Sequence, residues 1–155
     1  MTLSRPLEIL GLDLGATTGW AHSAGISGTF DFKILKDESS GMRLLRFRAK
    51  LIEFIENHKV QVVAFETVSV AARGKSNTAT FKQHAKMQAM IELLAVEMNF
   101  DHCSFNNATI KKRCGAKDKA GILEAARKHW PDQDIKDDNQ ADALWCLLLA
   151  QEQLR

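Results

Sequence analysis

The chain has 155 residues, 45% hydrophobic and 26% charged, which is ordinary globular usage and excludes a disordered or fibrous protein. Its length predicts one domain spanning residues 1–155, and its formal net charge of +2 says little about partners by itself. No apolar run approaches the roughly 18 residues of a membrane span, and Arg5-Pro6 leads into a β-like run without a signal-peptide core, so a cytoplasmic protein is expected.

Residues 7–14 (LEILGLDL) form a short apolar run ending at Gly15, and 18–23 and 28–32 read as two more strands separated by Gly turns. Residues 42–58 place Leu44, Phe47, Leu51, Ile52 and Ile55 at helical intervals, with Asn57 or His58 as the stop. The β-branched run 60–65 (VQVVAF) predicts a buried central strand with Glu66 at its end. A loop of small and basic residues follows. Residues 78–98, with Phe81, Ala85, Met90, Ile91, Leu94 and Met98, predict a long helix, and 103–105 a short strand. A helix over 117–130 stops at Pro131, and 138–154 carries Ala141, Leu144, Trp145, Leu148 and Leu149 along one stripe, the mark of a terminal helix packed on the sheet. The order β-β-β-α-β-α-β-α-α predicts a mixed sheet of five strands with helices on its faces.

Charge is segregated. Between residues 67 and 91 there is no acid, while Arg73, Lys75, Lys82 and Lys86 are present; between 102 and 117 there is again none, with Lys111, Lys112, Arg113 and Lys117. Residues 132–142 instead hold Asp132, Asp134, Asp137, Asp138 and Asp142 against Lys136 alone. Either basic segment taken singly reads as a solvated face. Together with the acidic cluster they suit a polyanion gripped by Lys and Arg while carboxylates hold a divalent metal against it. Cys103, Cys114 and Cys146 are odd in number and lack a C-x-x-C pair, so they read as reduced, packed thiols. The five histidines show no metal-ligand spacing, and Trp20, Trp130, Trp145, Phe81 and Phe105 read as core rather than base-stacking platforms.

Four acids stand out. Asp13 lies in an otherwise apolar strand, and Glu66 ends another with no cation nearby in sequence before Arg73. Asp138 and Asp142 are four apart on the last helix, which puts them on one face beside the packed stripe. Each has a structural explanation when taken singly, and for Asp138 helix capping is the better one. As a group, four like charges need compensating cations. An oxygen-rich site suits Mg²⁺ or Mn²⁺, and a pair of such ions can activate a water and stabilise the leaving oxygen in phosphodiester cleavage.

These segments resemble the RuvC-like Holliday junction resolvases of the RNase H-like, retroviral-integrase superfamily, over most of the chain. Residues 9–21 (ILGLDLGATTGWA) look like the family's first strand with its catalytic Asp, 62–68 (VVAFETV) like the strand bearing its Glu, and 138–144 (DNQADAL) like the last-helix motif. Residues 108–112 (ATIKK) and 115–120 (GAKDKA) resemble the lysine-bearing segment, which implies that Lys111 and Lys119 lie close to the scissile phosphate. Carried over, Asp13, Glu66 and Asp142 match the metal-binding carboxylates, with Asp138 as candidate fourth. The resemblance implies an RNase H-like α/β fold and a structure-selective, metal-dependent endodeoxyribonuclease. It would cut four-way junctions to leave 5′-phosphate and 3′-hydroxyl ends, with two Mg²⁺ per active site and no nucleotide cofactor. It also implies a homodimer assembled through 78–98, branched DNA as partner, and Arg73, Lys75, Lys82, Lys111, Lys112 and Lys119 as DNA contacts, with Lys119 stabilising phosphate charge.

The chain departs from the bacterial pattern at two places. Three residues before Asp142, where the bacterial proteins usually carry the fourth ligand, stands Asn139, and three residues after Glu66, where they carry an aromatic wedge, stands Ser69. These changes and the short length look more like the phage or viral branch. Two other readings stay open: a nuclease of the same fold acting on flaps or forks, and a non-catalytic junction binder. D-L-G-A-T-T-G (13–19) also resembles the phosphate loop of sugar kinases and actin-like ATPases, but those proteins need two domains and a second such loop.

Overall fold

The computed structural model describes residues 4–67 and 78–155. Five strands, β1 (Ile9–Asp13), β2 (Thr17–His22), β3 (Ile26–Asp31), β4 (Val62–Thr67) and β5 (Asp101–Asn106), form one sheet in the order β3-β2-β1-β4-β5. β1, β2 and β3 pair antiparallel as a meander, whereas β4 and β5 run parallel to β1. Parallel neighbours need crossovers, and these are α1 (Gly41–His58) and α2 (Thr78–Met98). Three more helices follow: α3 (Asn107–Cys114), α4 (Lys119–His129) and α5 (Asp138–Gln153).

Period-2 alternation divides the sheet into two faces. Leu10, Leu12, Leu14, Val63 and Phe65 point to one side and pack with Phe47, Leu51, Phe54 and Ile55 of α1 and Met87, Ile91 and Leu94 of α2. Ile9, Ala21, Val62 and Ala64 point to the other and pack with α3, α4 and α5 through Ile110, Ile122, Ala143, Leu144 and Leu147. The architecture is the mixed five-stranded α/β sheet that the sequence order predicts, with helices on both faces. Among the described residues no helix is long and apolar enough to cross a membrane.

Several expectations need correction. An additional helix, α3, follows β5 directly. It buries only Ile110 and is set by Asn106, whose side chain accepts from the Thr109 N–H at 2.8 Å, so it has no apolar stripe to reveal it. The buried face of α2 runs through His84, Met87, Ile91, Leu94 and Ala95, and Ala85 is exposed, because the crossover docks one step round from the Phe81 stripe. Phe81 and Phe105 are half-buried rather than fully in the core. Asp137, not Asp138, caps α5, accepting from the Gln140 N–H at 2.9 Å. Nor does α5 present a single stripe: Gln140 to Leu147 are all buried, because α4 covers its outer side, where Trp145 donates to the Ile122 carbonyl at 3.3 Å.

Candidate active site

Asp13 ends β1 and Glu66 lies near the end of β4. The strands are parallel neighbours with Gly11 opposite Ala64 and Leu12 opposite Phe65, so the register brings the next pair, Asp13 and Glu66, side by side on the α5 face. Above them Asp142 projects from the second turn of α5 and is only 8% exposed. One carboxylate oxygen from each of the three falls within 4.8 Å of the others.

The close approach of α5 depends on missing side chains. A β-carbon on Gly19, which pairs with Asp13 across β1 and β2, would collide with the Asn139 carbonyl, and one on Gly11 would collide with the Ala143 carbonyl. Buried Gln140 then fastens the start of α5. Its Nε2 donates to Ser27 Oγ at 2.9 Å and to the Asp134 carbonyl at 3.1 Å, and its Oε1 accepts from the Lys136 N–H at 3.0 Å. Gln140 lies inside the quoted last-helix motif, yet its polar side chain among polar neighbours gives no local sign of this role.

The electrostatics are those of crowded acids. Burial, then the neighbouring Asp142, Glu66 and Asp138, hold the Asp13 carboxyl well above the usual carboxylate range, with Lys119 opposing. Asp142 is pushed up to about 7 by burial and by Glu66 and Asp138. Glu66 is raised by burial and pulled back by a hydrogen bond from Asn107 and by Lys119 and Lys111. Asp142 Oδ1 is buried without a hydrogen-bond partner. An orphaned carboxylate oxygen among three hard donors, with Lys119 and Lys111 as the cations that act on them among the described residues, fits a hard divalent metal ion.

The other predicted residues are placed unevenly. Asp138, in the first turn of α5, stands outside the group of three and pairs with Lys119, its Oδ2 3.7 Å from Nζ. Lys119 begins α4 with its side chain 83% exposed, and Lys111 on α3 is near enough to Glu66 to bias its titration. Lys112 and Lys82 are exposed on α3 and α2. Arg73, Lys75 and the wedge position Ser69 lie outside the described residues. Thr18 of the phosphate-loop motif is fully buried, and its hydroxyl donates to the Gly15 carbonyl at 2.8 Å.

Sequence reading missed two residues. Asn107, the first residue of α3, donates from Nδ2 to Glu66 Oε1 at 3.1 Å. His84 of α2, buried beneath the sheet, contacts the Glu66 carbonyl through Nε2 at 2.8 Å.

No family model and no curated relative matches this sequence. Solved structures do. Thermus thermophilus RuvC in complex with a Holliday junction substrate superposes with a TM-score of 0.77 over 96% of this chain and 95% of its own, at 16% identity. The fold is that of the RuvC resolvases. A second Thermus thermophilus RuvC structure gives a TM-score of 0.72 at 15% identity over 96% of both chains. The yeast mitochondrial Holliday junction resolvase gives 0.62 at 12% identity, covering 96% of this chain and 80% of that one.

Proposed function

We propose that this protein is a structure-selective endodeoxyribonuclease that resolves four-way DNA junctions with Mg²⁺, for which Mn²⁺ can substitute. The observation that carries the reading is the meeting of Asp13, Glu66 and Asp142 within 4.8 Å, with a buried Asp142 oxygen lacking any partner, at the place where two parallel strands end under α5. A DNA binder gains nothing from three crowded carboxylates, which repel the phosphates they would face.

Asp13, Glu66 and Asp142 would hold the ions, with Asp138 at the rim as the further acid. Such ions would supply the activation of water for in-line attack on phosphorus and the stabilisation of charge on the leaving 3′ oxygen, the chemistry that leaves a 5′-phosphate and a 3′-hydroxyl. The protein's own groups do the rest. Lys119 and Lys111, flanking the carboxylates, neutralise the non-bridging oxygens of the scissile phosphate. Lys112 and Lys82, both exposed, together with Arg73 and Lys75 contact the flanking backbone. Gly19 and Gln140 keep α5 seated so that the three acids converge.

Two opposed strands must be cut, so one molecule acts at each, and α2 offers a surface for pairing: Leu93 and Val96 are 52% and 83% exposed. The test is cleavage of a labelled immobile junction, a flap, a fork and a linear duplex with Mg²⁺. Paired nicks in the junction, lost in Asp13→Asn and Glu66→Gln with binding kept, are the expected result. Equal cutting of flaps and forks would replace resolution with a broader branched-DNA activity, and no cleavage of any substrate would overturn the proposal.

A further inference from the structure

Glu66 differs from the other two acids of the cluster in how it is supported. Its carbonyl is tied to His84 at 2.8 Å from the α2 side of the sheet. That contact fixes the main chain at the end of β4 and leaves Glu66 its side-chain torsions. Those are restrained from the opposite face by Asn107, whose Nδ2 reaches Glu66 Oε1 at 3.1 Å across 41 residues of sequence. A carboxylate repelled by Asp13 and Asp142 would otherwise rotate away from them, because among the described residues the Asn107 amide is the hydrogen-bond donor that holds it.

From this geometry we infer that Asn107 is a positioning residue, acting through Glu66, which presents that carboxylate to the divalent ion and ties it to the helix that bears Lys111 and Lys112. The assignment rests on the metal-dependent reading above. The amide suits the role because it donates without adding charge, so it orders Glu66 without competing for the cation. Residues that hold a metal ligand in this way typically contribute ~10–100-fold in metal affinity. Their substitution costs little fold stability where the residue is not itself a cap, and here Asn106, not Asn107, caps α3.

The experiment is Mn²⁺ titration followed by electron paramagnetic resonance on the full chain, without DNA, for wild type, Asn107→Ala and Asn107→Gln. Junction affinity in EDTA and a thermal melt are measured alongside. Asn107→Ala is expected to weaken Mn²⁺ binding ~10-fold or more, with the melt and metal-free junction affinity unchanged, and Asn107→Gln, which keeps the donor on a longer arm, to recover part of the loss. Mn²⁺ affinity equal to or tighter than wild type in Asn107→Ala would overturn the assignment. So would a loss that Asn107→Gln shares in full, since a bulk packing role would not respond to the donor. If wild type itself binds no Mn²⁺, the metal-dependent function fails first.

Discussion

The carbonyl of Asn139 on α5 occupies the space that a β-carbon on Gly19 would need. Gly19 is the partner of Asp13 in the β1–β2 ladder, so the residue that admits the helix stands beside the acid the helix must reach. The separation of α5 from the sheet, and with it the distance of Asp142 from Asp13, depends on the missing side chain here as it does at Gly11.

Gly19→Ala should therefore push the start of α5 off the sheet. The strain is expected to cost ~1–3 kcal/mol, the usual range for overpacking, and the displacement of Asp142 should abolish Mn²⁺ binding even where the chain still folds. A denaturant melt with a metal titration on the same sample checks both. Wild-type metal affinity in a folded Gly19→Ala protein would refute the link.

Asp142 makes the metal-free fold sensitive to pH. Its carboxyl keeps a proton up to about 7 in the folded state and loses it near 4 when unfolded. Between those values the folded protein binds more protons, so stability falls as pH rises, by at most ~1.4 kcal/mol per pH unit from this group. Asp142→Asn should flatten that slope and raise metal-free stability at pH 8, while Mg²⁺ should stabilise wild type most at that same pH. Melting series in EDTA and in Mg²⁺ across pH 5–8 measure it.

Lys119 is 83% exposed and its partner Asp138 37% exposed, so their ion pair contributes little to the fold. Lys119→Ala should change stability by no more than ~0.5 kcal/mol yet lower single-turnover junction cleavage ~100-fold, as loss of a preorganised phosphate contact does. An unchanged cleavage rate would remove Lys119 from the reaction.

If α2 pairs two copies, Val96→Glu places a charge on a residue that is 83% exposed in the monomer. Sedimentation should show wild type as a dimer and the variant as a monomer, with Mn²⁺ binding intact because the carboxylates lie across the sheet. A monomeric wild type would discard the surface.

Some of this is written locally in the chain. Asp13 follows Ile9 and Gly11 by twos, and Glu66 follows Val62 and Ala64 in the same way, so alternation alone puts both acids on their strands' small-residue face. The four-residue spacing of Asp138 and Asp142 sets both on one side of a helix, and the resemblance to RuvC over four short segments anticipates the fold. These features survive in sequence because strand and helix periods decide which side chains share a face before any tertiary contact forms.

What the periods cannot express is how far one element slides or sinks against another. That Asp142 joins the cluster while Asp138 turns to Lys119 depends on the depth to which α5 settles over Gly11 and Gly19. That Asn107 meets Glu66 depends on α3, a helix with only Ile110 buried and so without the apolar stripe by which helices are read. His84, one apolar turn before Met87, reaches the end of β4 only once the crossover has docked. The sequence by itself determined the five strands, four of the five helices and the acids. The tertiary structure decided which acids meet and what holds them, because those contacts are made by surfaces that no local pattern brings together.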